Sequence, residues 1–433
     1  MEKFIHYVWK HRLFPLNELR TTNGELVEVI DVGLYNRNNG PDFFNAKIKI
    51  GGTLWVGNVE IHERSSDWFR HNHHTDACYN NVILHVASEI DTDIQTALGN
   101  QLPQLKLEVP DYVRRNYEEL ITNDEYPPCH KIISTLPEIM MHSWLNALQI
   151  ERLEQRTQII ERRLEVCNGD WESVYFITLA RNFGFGINGD AFEEWGKRIS
   201  LHNLAAYHRD NLVQIEAIFM GQAGLLDIGA VHERNRAAAL KDEYFLLLQS
   251  EYCNFSHRFN LSPMDASHWH FLRLRPQNFP HIRISQLAYL YAKGGTGLQT
   301  LIECKTIDEV IELLDTRVTT YWQTHYSFGA PSRTNIKQLS LTSRRLMIVN
   351  TVAPMFFAYG RFDGNDKLAE RAMDFLESIG AEDNRIVRMW RELGINICSA
   401  ADSQALIQLK NEYCDRKDCL RCRIGYKYLA SPK

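Results

Sequence analysis

The N-terminal part of the chain alternates between apolar and polar positions in short runs. Four runs have the pattern of β-strands: residues 26–32, 45–50, 53–62 and 82–87. Gly51 and Gly52 separate the second run from the third, and paired glycines at this place are typical of a tight hairpin turn. The pattern predicts a helix over residues 3–12 and another just after residue 65. The predicted order is therefore helix, three strands, helix, strand.

The pattern changes after a proline-containing break at residues 126–128. From residue 140 onward, apolar positions recur every three or four residues, which is the spacing of amphipathic helices. The sequence therefore predicts an α+β protein with a larger helical part. The three predicted parts are an α/β domain, an all-α domain and a cysteine-rich tail: residues 1–125, 126–397 and 398–433.

Composition narrows the class of protein. The 433 residues carry a formal net charge of −6, and 24% of them are charged. An acidic balance counts against a protein that coats nucleic acid non-specifically, although it allows a local basic surface. No apolar run approaches the ~20 residues of a membrane helix, and the first residues lack the apolar core of a signal peptide. We therefore expect a cytoplasmic protein without a membrane partner.

Two carboxylates and a histidine stand on the predicted hairpin. Asp42 precedes its first strand, whereas Glu60 and His62 lie on the second. Side chains two residues apart share one face of a strand, so Glu60 and His62 point the same way. Asp42 lies at the start of the neighbouring strand, within reach of Glu60. Two such carboxylates and the Ile61 carbonyl are hard oxygen donors, which predicts a Mg²⁺ or Mn²⁺ site.

Pro41-Asp42 followed by Glu60-Ile61-His62 resembles the core motif of the PD-(D/E)xK nuclease superfamily, with histidine in place of lysine. The resemblance covers the N-terminal part and implies a restriction-endonuclease-like fold and a nucleic-acid substrate. It also implies that Asp42 and Glu60 hold a metal ion that activates water, while His62 orients this water for attack on phosphorus.

The histidine at position 62 leaves the source of positive charge open, because histidine is not a fixed cation at neutral pH. Lys47 and Lys49, on the preceding strand, are the alternative sources. Three further polar residues near the motif are candidates for binding substrate: Asn39, Asp67 and His71.

Five histidines lie between residues 62 and 85, a dense group in a chain that has 17. Imidazole and carboxylate groups are zinc ligands, so a zinc site built from His62, His71, His73 or His74 is an alternative. The other interpretation is a polar, solvated loop, which we favour for His73 and His74. We expect His85, inside an apolar strand, to be a core histidine.

Four of the nine cysteines cluster near the C-terminus: Cys398, Cys414, Cys419 and Cys422. The last three form a C-x4-C-x2-C pattern, and closely spaced thiolates are typical of a structural metal site. The pattern predicts Zn²⁺, with an iron–sulfur cluster as the alternative.

Several stretches along the chain resemble a family of bacterial proteins named only as a domain of unknown function: residues 57–62, 221–226, 275–280 and 413–414. This resemblance implies an architecture and no activity. The predicted function is that of a metal-dependent nuclease that hydrolyses phosphodiesters of DNA or RNA. The alternatives are a non-catalytic, nuclease-derived binding or scaffold protein and a zinc hydrolase that uses the histidines.

Overall fold

The structure is a computed structural model that describes residues 2–16, 18–36, 38–123, 125–202, 204 and 211–432. The chain forms two compact units. The first comprises Met1–Trp144, Met389–Ile395 and Gln408–Lys433, and the second comprises Leu145–Arg388 and Asn396–Ile407. The predicted α+β class is confirmed, since a mixed sheet lies in the first unit and the second is largely helical.

The sheet of the first unit has six strands: β1 (Val27–Asp31), β2 (Leu34–Tyr35), β3 (Phe43–Ile50), β4 (Thr53–Arg64), β5 (Val82–Glu89) and β6 (Gln104–Lys106). Its order is β1-β3-β4-β5-β6, and β2 pairs with the edge of β3. Neighbours from β1 to β4 run antiparallel, whereas β4, β5 and β6 are parallel.

β3 and β4 form the predicted hairpin. Ile50 pairs with Thr53 across Gly51 and Gly52, whose φ angles are +56° and +90°. Positive φ at both central residues suits the right-handed twist of paired strands, and glycine adopts it at no steric cost. The turn thus sets the register of the hairpin from Ile50 back to Ala46.

A bulge in β3 places Asp42 beside Glu60. The pairing register of β3 and β4 shifts between Phe43 and Ala46. Because Phe43 pairs with Val59, the residue before Phe43 lies next to the residue after Val59. Bulges of this kind re-aim side chains and are frequent beside functional sites.

Five helices belong to the first part of the chain: α1 (Glu2–Lys10), α2 (Asp67–Arg70), α3 (Asp111–Thr122), α4 (His130–Ile133) and α5 (Glu138–Val166). α1 buries Phe4, Ile5, Val8 and Trp9, whose helical spacing forms one apolar stripe, and it contacts β4. Two 3-10 turns follow α2: His73–Thr75 and Ala77–Tyr79.

The C-terminal residues return to the first unit. They form a π-helical turn (Leu409–Cys414), a 3-10 turn (Cys419–Arg421) and a C-terminal helix (Arg423–Ala430). Asn116 of α3 donates from its side-chain amide to the carbonyl oxygens of Tyr428 at 2.9 Å and Ser431 at 3.0 Å. These bonds satisfy carbonyls that the end of a helix leaves without partners.

Between residues 167 and 408 the helices are Trp171–Phe183, Gly189–Lys197, Leu212–Gln222, Glu233–Ala239, Glu243–Phe259, Pro280–Ala292, Leu298–Glu303, Ile307–Leu313, Thr320–Thr324, Leu341–Met347, Ala353–Asp363, Asp366–Ser378, Arg385–Glu392 and Ala400–Gln408, with a π-helical stretch at Ile348–Val352. Large side chains such as Trp195 and Trp322 are fully buried in one continuous core. The all-α prediction for this part is wrong in one detail, because His325–Ser327 and Ala330–Pro331 form a two-stranded hairpin. Among the described residues, no helix is both long and apolar enough to cross a membrane.

Candidate metal centre

Asp42 and Glu60 meet at the mouth of the hairpin. The backbone N–H of Asp42 donates to Glu60 Oε2, and the backbone N–H of Ile61 donates to Asp42 Oδ2, both at 3.0 Å. Glu60 is 4% exposed, whereas the Asp42 carboxyl is one-fifth exposed and reaches solvent. The structure therefore brings together the two carboxylates that the sequence pattern singles out, and we refer to Asp42 and Glu60 as the carboxylate pair.

His6 reaches the carboxylate pair from α1. Its Nε2 lies 3.2 Å from Asp42 Oδ2 and 3.4 Å from the carbonyl oxygen of Ile61. Burial opposes protonation of this imidazole, but the hydrogen bond to Asp42 and the charge of Asp42 raise the pKa of His6 above its usual range. His6 was not among the predicted site residues. It is buried in α1 but lies outside the apolar stripe of that helix.

Two imidazoles contact Glu60, and two more contact one of these. Glu60 Oε1 lies 3.2 Å from His73 Nε2 and 3.6 Å from His62 Nε2. His62 Nε2 lies 3.2 Å from His71 Nδ1, and His62 Nδ1 lies 2.9 Å from His85 Nε2. One nitrogen from each of His62, His71 and His73 lies within 4.8 Å of the others. We refer to His62, His71 and His73 as the histidine cluster.

The loop after α2 turns two of these histidines toward β4. Asn72, between them, has a left-handed conformation with φ of 62°, which asparagine adopts more readily than most residues. The His73 ring stacks on Tyr79 with 3.8 Å between centroids and meets the edge of Trp68 at 5.4 Å. His73 is buried and His71 is exposed. The prediction of a solvated loop is therefore wrong for His73.

Burial moves the ionisable groups of this site toward their neutral forms. Burial and the charge of Asp42 raise the pKa of Glu60 to about 9. Burial and the neighbouring histidines lower the pKa of His62 to about 2, and burial lowers that of His85 to about 4. Neutral imidazole is the form that binds metal ions. A buried carboxyl group beside another carboxylate ionises when a cation joins them, so these residues fit a divalent ion.

Glu60 belongs to two sets of donors. Its Oε2 faces Asp42, where the donors are oxygens, and its Oε1 faces the imidazoles of His62 and His73. Oxygen donors suit Mg²⁺ or Mn²⁺, whereas imidazole with carboxylate suits Zn²⁺, Fe²⁺ or Mn²⁺. Oxygen donors and imidazole donors therefore lie on opposite sides of one carboxylate.

A family model described as a protein of unknown function (DUF2851) matches residues 2–385. The chain belongs to the DUF2851 family. The match covers the carboxylate pair and the histidine cluster, and it ends before the cysteines near the C-terminus. No curated protein and no solved structure matches the chain.

Two predicted site residues of this DUF2851 protein lie away from the carboxylate pair. Lys47 pairs with Val56 and Lys49 pairs with Leu54. Val56 lies four residues before Glu60, which is about 13 Å along a strand at ~3.3 Å per residue. Both lysines are exposed. The prediction that one of them supplies positive charge at the site is wrong, because the register of the hairpin carries them along the strand.

Two of the predicted substrate ligands differ in their surroundings. Asn39 is exposed in the loop that precedes the carboxylate pair, where the Asn36 amide gathers backbone carbonyls of the loop, including that of Asn39 at 3.2 Å. Asp67 is buried and accepts a hydrogen bond from the backbone N–H of Arg64 at 3.3 Å, while its other oxygen contacts Arg70 at 3.0 Å. These contacts give Asp67 a role in holding α2, so we do not retain it as a substrate ligand.

Three of the four predicted cysteine ligands of the DUF2851 chain lie in the same unit. Cys414, Cys419 and Cys422 lie in the first unit, whereas Cys398 lies in the second. Cys398 is exposed, and its thiol donates to Asn396 Oδ1 at 3.3 Å. Cys398 as the fourth ligand therefore stays a prediction.

A cleft of about 650 Å³ in the first unit is lined by α1 and the C-terminal segment. Its lining includes His6 and four cationic side chains: Lys3, Lys10, Arg421 and Arg423. Asp418 also lines it. We refer to it as the basic cleft. Because His6 both lines the cleft and contacts Asp42, the cleft adjoins the carboxylate pair.

Proposed function

We propose that this protein is a metal-dependent nuclease that hydrolyses phosphodiester bonds at the carboxylate pair and the histidine cluster. The observation that carries the proposal is the position of Glu60 between Asp42 and the pair His62 and His73, which lie with His71 in a group whose nitrogens are within 4.8 Å of one another. Groups with strongly perturbed pKa values that converge beside a cleft are typical of functional sites.

Each donor set has its own role in this proposal. Asp42, Glu60 and the Ile61 carbonyl form the oxygen set, and His62, His71 and His73 complete a second set with Glu60. Sites of this kind, with two ions about 3.5–4 Å apart, occur in many nucleases and phosphatases. An ion held there would supply an activated water molecule and would neutralise charge on the scissile phosphate.

We assign to His6 the role that the lysine has in the PD-(D/E)xK nuclease motif. The charge of Asp42 favours its protonated form, and its ring lies between the carboxylate pair and the basic cleft. A cation at this place attracts the phosphodiester and holds it near Asp42. Although His62 stands where the motif has a lysine, His6 on α1 therefore still supplies a positive group to the site.

The basic cleft supports a nucleic-acid substrate. Lys3, Lys10, Arg421 and Arg423 lie around a cavity that is large enough for a small number of nucleotides. Cationic side chains on one face bind the phosphate backbone regardless of base sequence. The net charge of −6 restricts this attraction to the cleft.

Calorimetry with Mn²⁺ on the metal-stripped full chain tests the proposal. We expect binding in the wild type and a loss of at least ~100-fold in affinity in Glu60→Gln and His71→Ala, because each removes a donor. His74→Ala is the matched control, since His74 comes from the same loop but packs against Phe69, with 5.1 Å between ring centroids. It should bind Mn²⁺ as the wild type does.

Cleavage of end-labelled single-stranded DNA, double-stranded DNA and RNA in Mn²⁺ and Mg²⁺ completes the test. The wild type and His74→Ala should cleave at least one of them, and Glu60→Gln should not. Metal binding that depends on Glu60, without cleavage of any of these substrates, would favour a nuclease-derived binding protein. Unchanged Mn²⁺ binding in Glu60→Gln would overturn the site itself.

A further inference from the structure

The C-terminal segment, which carries Cys414, Cys419 and Cys422, contacts the stretch of chain that carries Cys129. The Lys410 ammonium lies 5.3 Å from the ring centre of Tyr126. Lys417 Nζ donates to the carbonyl oxygen of Ile121 at 2.5 Å. All of these residues belong to the first unit. Because Tyr126 is only three residues before Cys129, these contacts bring the segment next to Cys129.

Four free thiols lie together in this region: Cys129, Cys414, Cys419 and Cys422. Burial raises the pKa of Cys129, and negative charge at Cys422, Cys414 and Cys419 raises it further. Burial raises the pKa of Cys419 to about 11, with a further contribution from Cys422. Each thiol is thus close enough to the others to oppose their ionisation.

The backbone around Cys422 is arranged to support a thiolate. Burial raises the pKa of Cys422, whereas the N–H groups of Gly425 and Ile424 hydrogen-bond to its sulfur and oppose the rise. A Cβ atom at Gly425 would lie 2.1 Å from the carbonyl oxygen of Cys419, so only glycine allows this close approach. N–H donors to cysteine sulfur are a feature of metal–thiolate centres, where they tune the bound group.

We propose that Cys129, Cys414, Cys419 and Cys422 hold an iron–sulfur cluster. Cys129 takes the place that the sequence pattern gave to Cys398. The proposal does not depend on the proposed function, since none of these cysteines belongs to the carboxylate pair or the histidine cluster.

The spacing of the thiols favours a cluster over a single zinc ion. Among the described residues, only the histidine cluster brings three or more potential metal donors within 4.8 Å of one another. No three of the four thiols therefore lie that close together. One zinc ion with bonds of ~2.3 Å holds its sulfurs about 3.8 Å apart. A cluster bound through several irons holds its thiolates farther apart. C-x4-C-x2-C is also the spacing of three of the cysteines in plant-type [2Fe–2S] proteins, although their fourth cysteine follows the three and Cys129 precedes them.

Such a cluster would fasten the C-terminal segment to the rest of the first unit. Cys422 lines the basic cleft, and Arg421 and Arg423 flank it in sequence. A cluster at Cys422 therefore fixes the backbone from which both arginines extend.

Metal and sulfide analysis of the full chain, purified without oxygen, tests the proposal. We expect equal amounts of iron and acid-labile sulfide, two of each for a [2Fe–2S] cluster and four of each for a [4Fe–4S] cluster. Cys129→Ser and Cys422→Ser should lose both. The matched controls Cys398→Ser and Cys253→Ser, at exposed cysteines, should keep them. Stoichiometric zinc without iron in the wild type would overturn the cluster, and full iron in Cys129→Ser would overturn the ligand set.

Cysteine alkylation of the wild type tests the proposal even if the serine variants fail to fold. Cysteines are alkylated before and after chelation of iron, and the modified positions are mapped by mass spectrometry. We expect Cys129, Cys414, Cys419 and Cys422 to react only after chelation, whereas Cys398 reacts throughout. Equal labelling of the four cysteines with and without chelation would contradict the proposal.

Discussion

Glu60 is the residue on which both donor sets of the candidate metal centre depend. Its side chain is buried, accepts the N–H of Asp42, and faces His62 and His73 on its other side. Without a cation, burial away from water and the charge of Asp42 keep Glu60 protonated, and the pKa of Glu60 is about 9. A divalent ion must displace that proton.

We therefore expect metal binding at neutral pH to release a proton from Glu60. His62, with a pKa of about 2, is already neutral and contributes no proton. The affinity for Mn²⁺ should rise about tenfold per pH unit from pH 6 and level off near pH 9. Calorimetry in two buffers with different ionisation enthalpies measures the proton directly. A proton released equally by Glu60→Gln would assign it elsewhere, with His6 as the first candidate.

The same carboxyl group predicts how stability depends on pH in the metal-free protein. The pKa of Glu60 rises from 4.5 to about 9 on folding. Its contribution to stability is therefore complete below pH 4.5 and is lost as pH rises toward 9. Relative to Glu60→Gln, the wild type should lose up to ~1.4 kcal/mol of unfolding free energy per pH unit across that window.

Urea unfolding of both proteins at pH 5, 7 and 8 in the presence of a chelator measures this difference. The comparison with Glu60→Gln removes the titration of the histidines, which both proteins share. Parallel stability profiles would contradict a strongly raised pKa of Glu60. Addition of Mn²⁺ should abolish the difference in slope for the wild type, because the bound ion removes the proton that causes it.

At the residue scale, sequence reasoning succeeded where the geometry is local. Asp42 immediately precedes one strand and Glu60 lies on the next, so the hairpin pattern suffices to bring them near each other, whereas the bulge in β3 sets them opposite one another. His6 lies 55 positions before the Ile61 carbonyl that it contacts. No periodicity in the sequence fixes how a helix docks on a sheet, so this contact could not be predicted.

At the scale of elements, the parallel pairing of β4 and β5 aligns the histidines. Glu60 pairs with His85, and the register of the two strands shifts just before that pair. At this shift a Cβ atom on Gly57 would lie 2.3 Å from Ile83 Cγ2 and 2.8 Å from the carbonyl oxygen of Asn81. Glycine at this position therefore lets β5 approach β4 closely.

Gly57→Ala should force the two strands apart near the candidate metal centre. We expect a loss of about 1–3 kcal/mol in unfolding free energy, as for overpacked sites in cores. Mn²⁺ affinity should fall too, because His62 and His85 are aligned by this pairing. Val56→Ala is the control, since Val56 is the preceding residue and is exposed. Wild-type stability in Gly57→Ala would mean that β5 tolerates the displacement.

The two hairpins of the molecule show what the pattern of a short element can reveal. The β3–β4 hairpin was predicted because two runs with the strand pattern, residues 45–50 and 53–62, flank Gly51 and Gly52. The hairpin of His325–Ser327 and Ala330–Pro331 was missed because its strands are too short to show a period. Its one local signal is Gly329, with φ of 67° in the turn.

At the scale of the whole molecule, the first unit is assembled from segments far apart in sequence. Asn116 bonds to the carbonyl of Tyr428, 312 positions away. The predicted parts were contiguous because changes in composition mark boundaries only along the chain. This explains why the tail was treated as a separate part and why Cys129 was not connected to it. The basic cleft has the same origin, since its two walls come from opposite ends of the chain.

The two arginines that the C-terminal segment contributes to the basic cleft lead to a prediction about nucleic-acid binding. Arg421→Ala and Arg423→Ala should weaken binding of single-stranded DNA or RNA to a similar degree whatever the sequence. Each should reduce the slope of log affinity against log salt by about one. Arg416→Ala is the control, because Arg416 comes from the same segment and pairs with Glu412 at 2.8 Å instead of lining the cleft.

Fluorescence anisotropy with labelled oligonucleotides between low and moderate salt measures these slopes, in Ca²⁺ so that substrate is bound without being cleaved. If all three arginine variants keep the wild-type slope, the backbone does not run through the cleft. If Arg416→Ala alone lowers it, the nucleic acid follows the outer surface of the tail. Only a loss confined to Arg421 and Arg423 places the phosphates beside His6, and hence beside Asp42 and Glu60, where hydrolysis would occur.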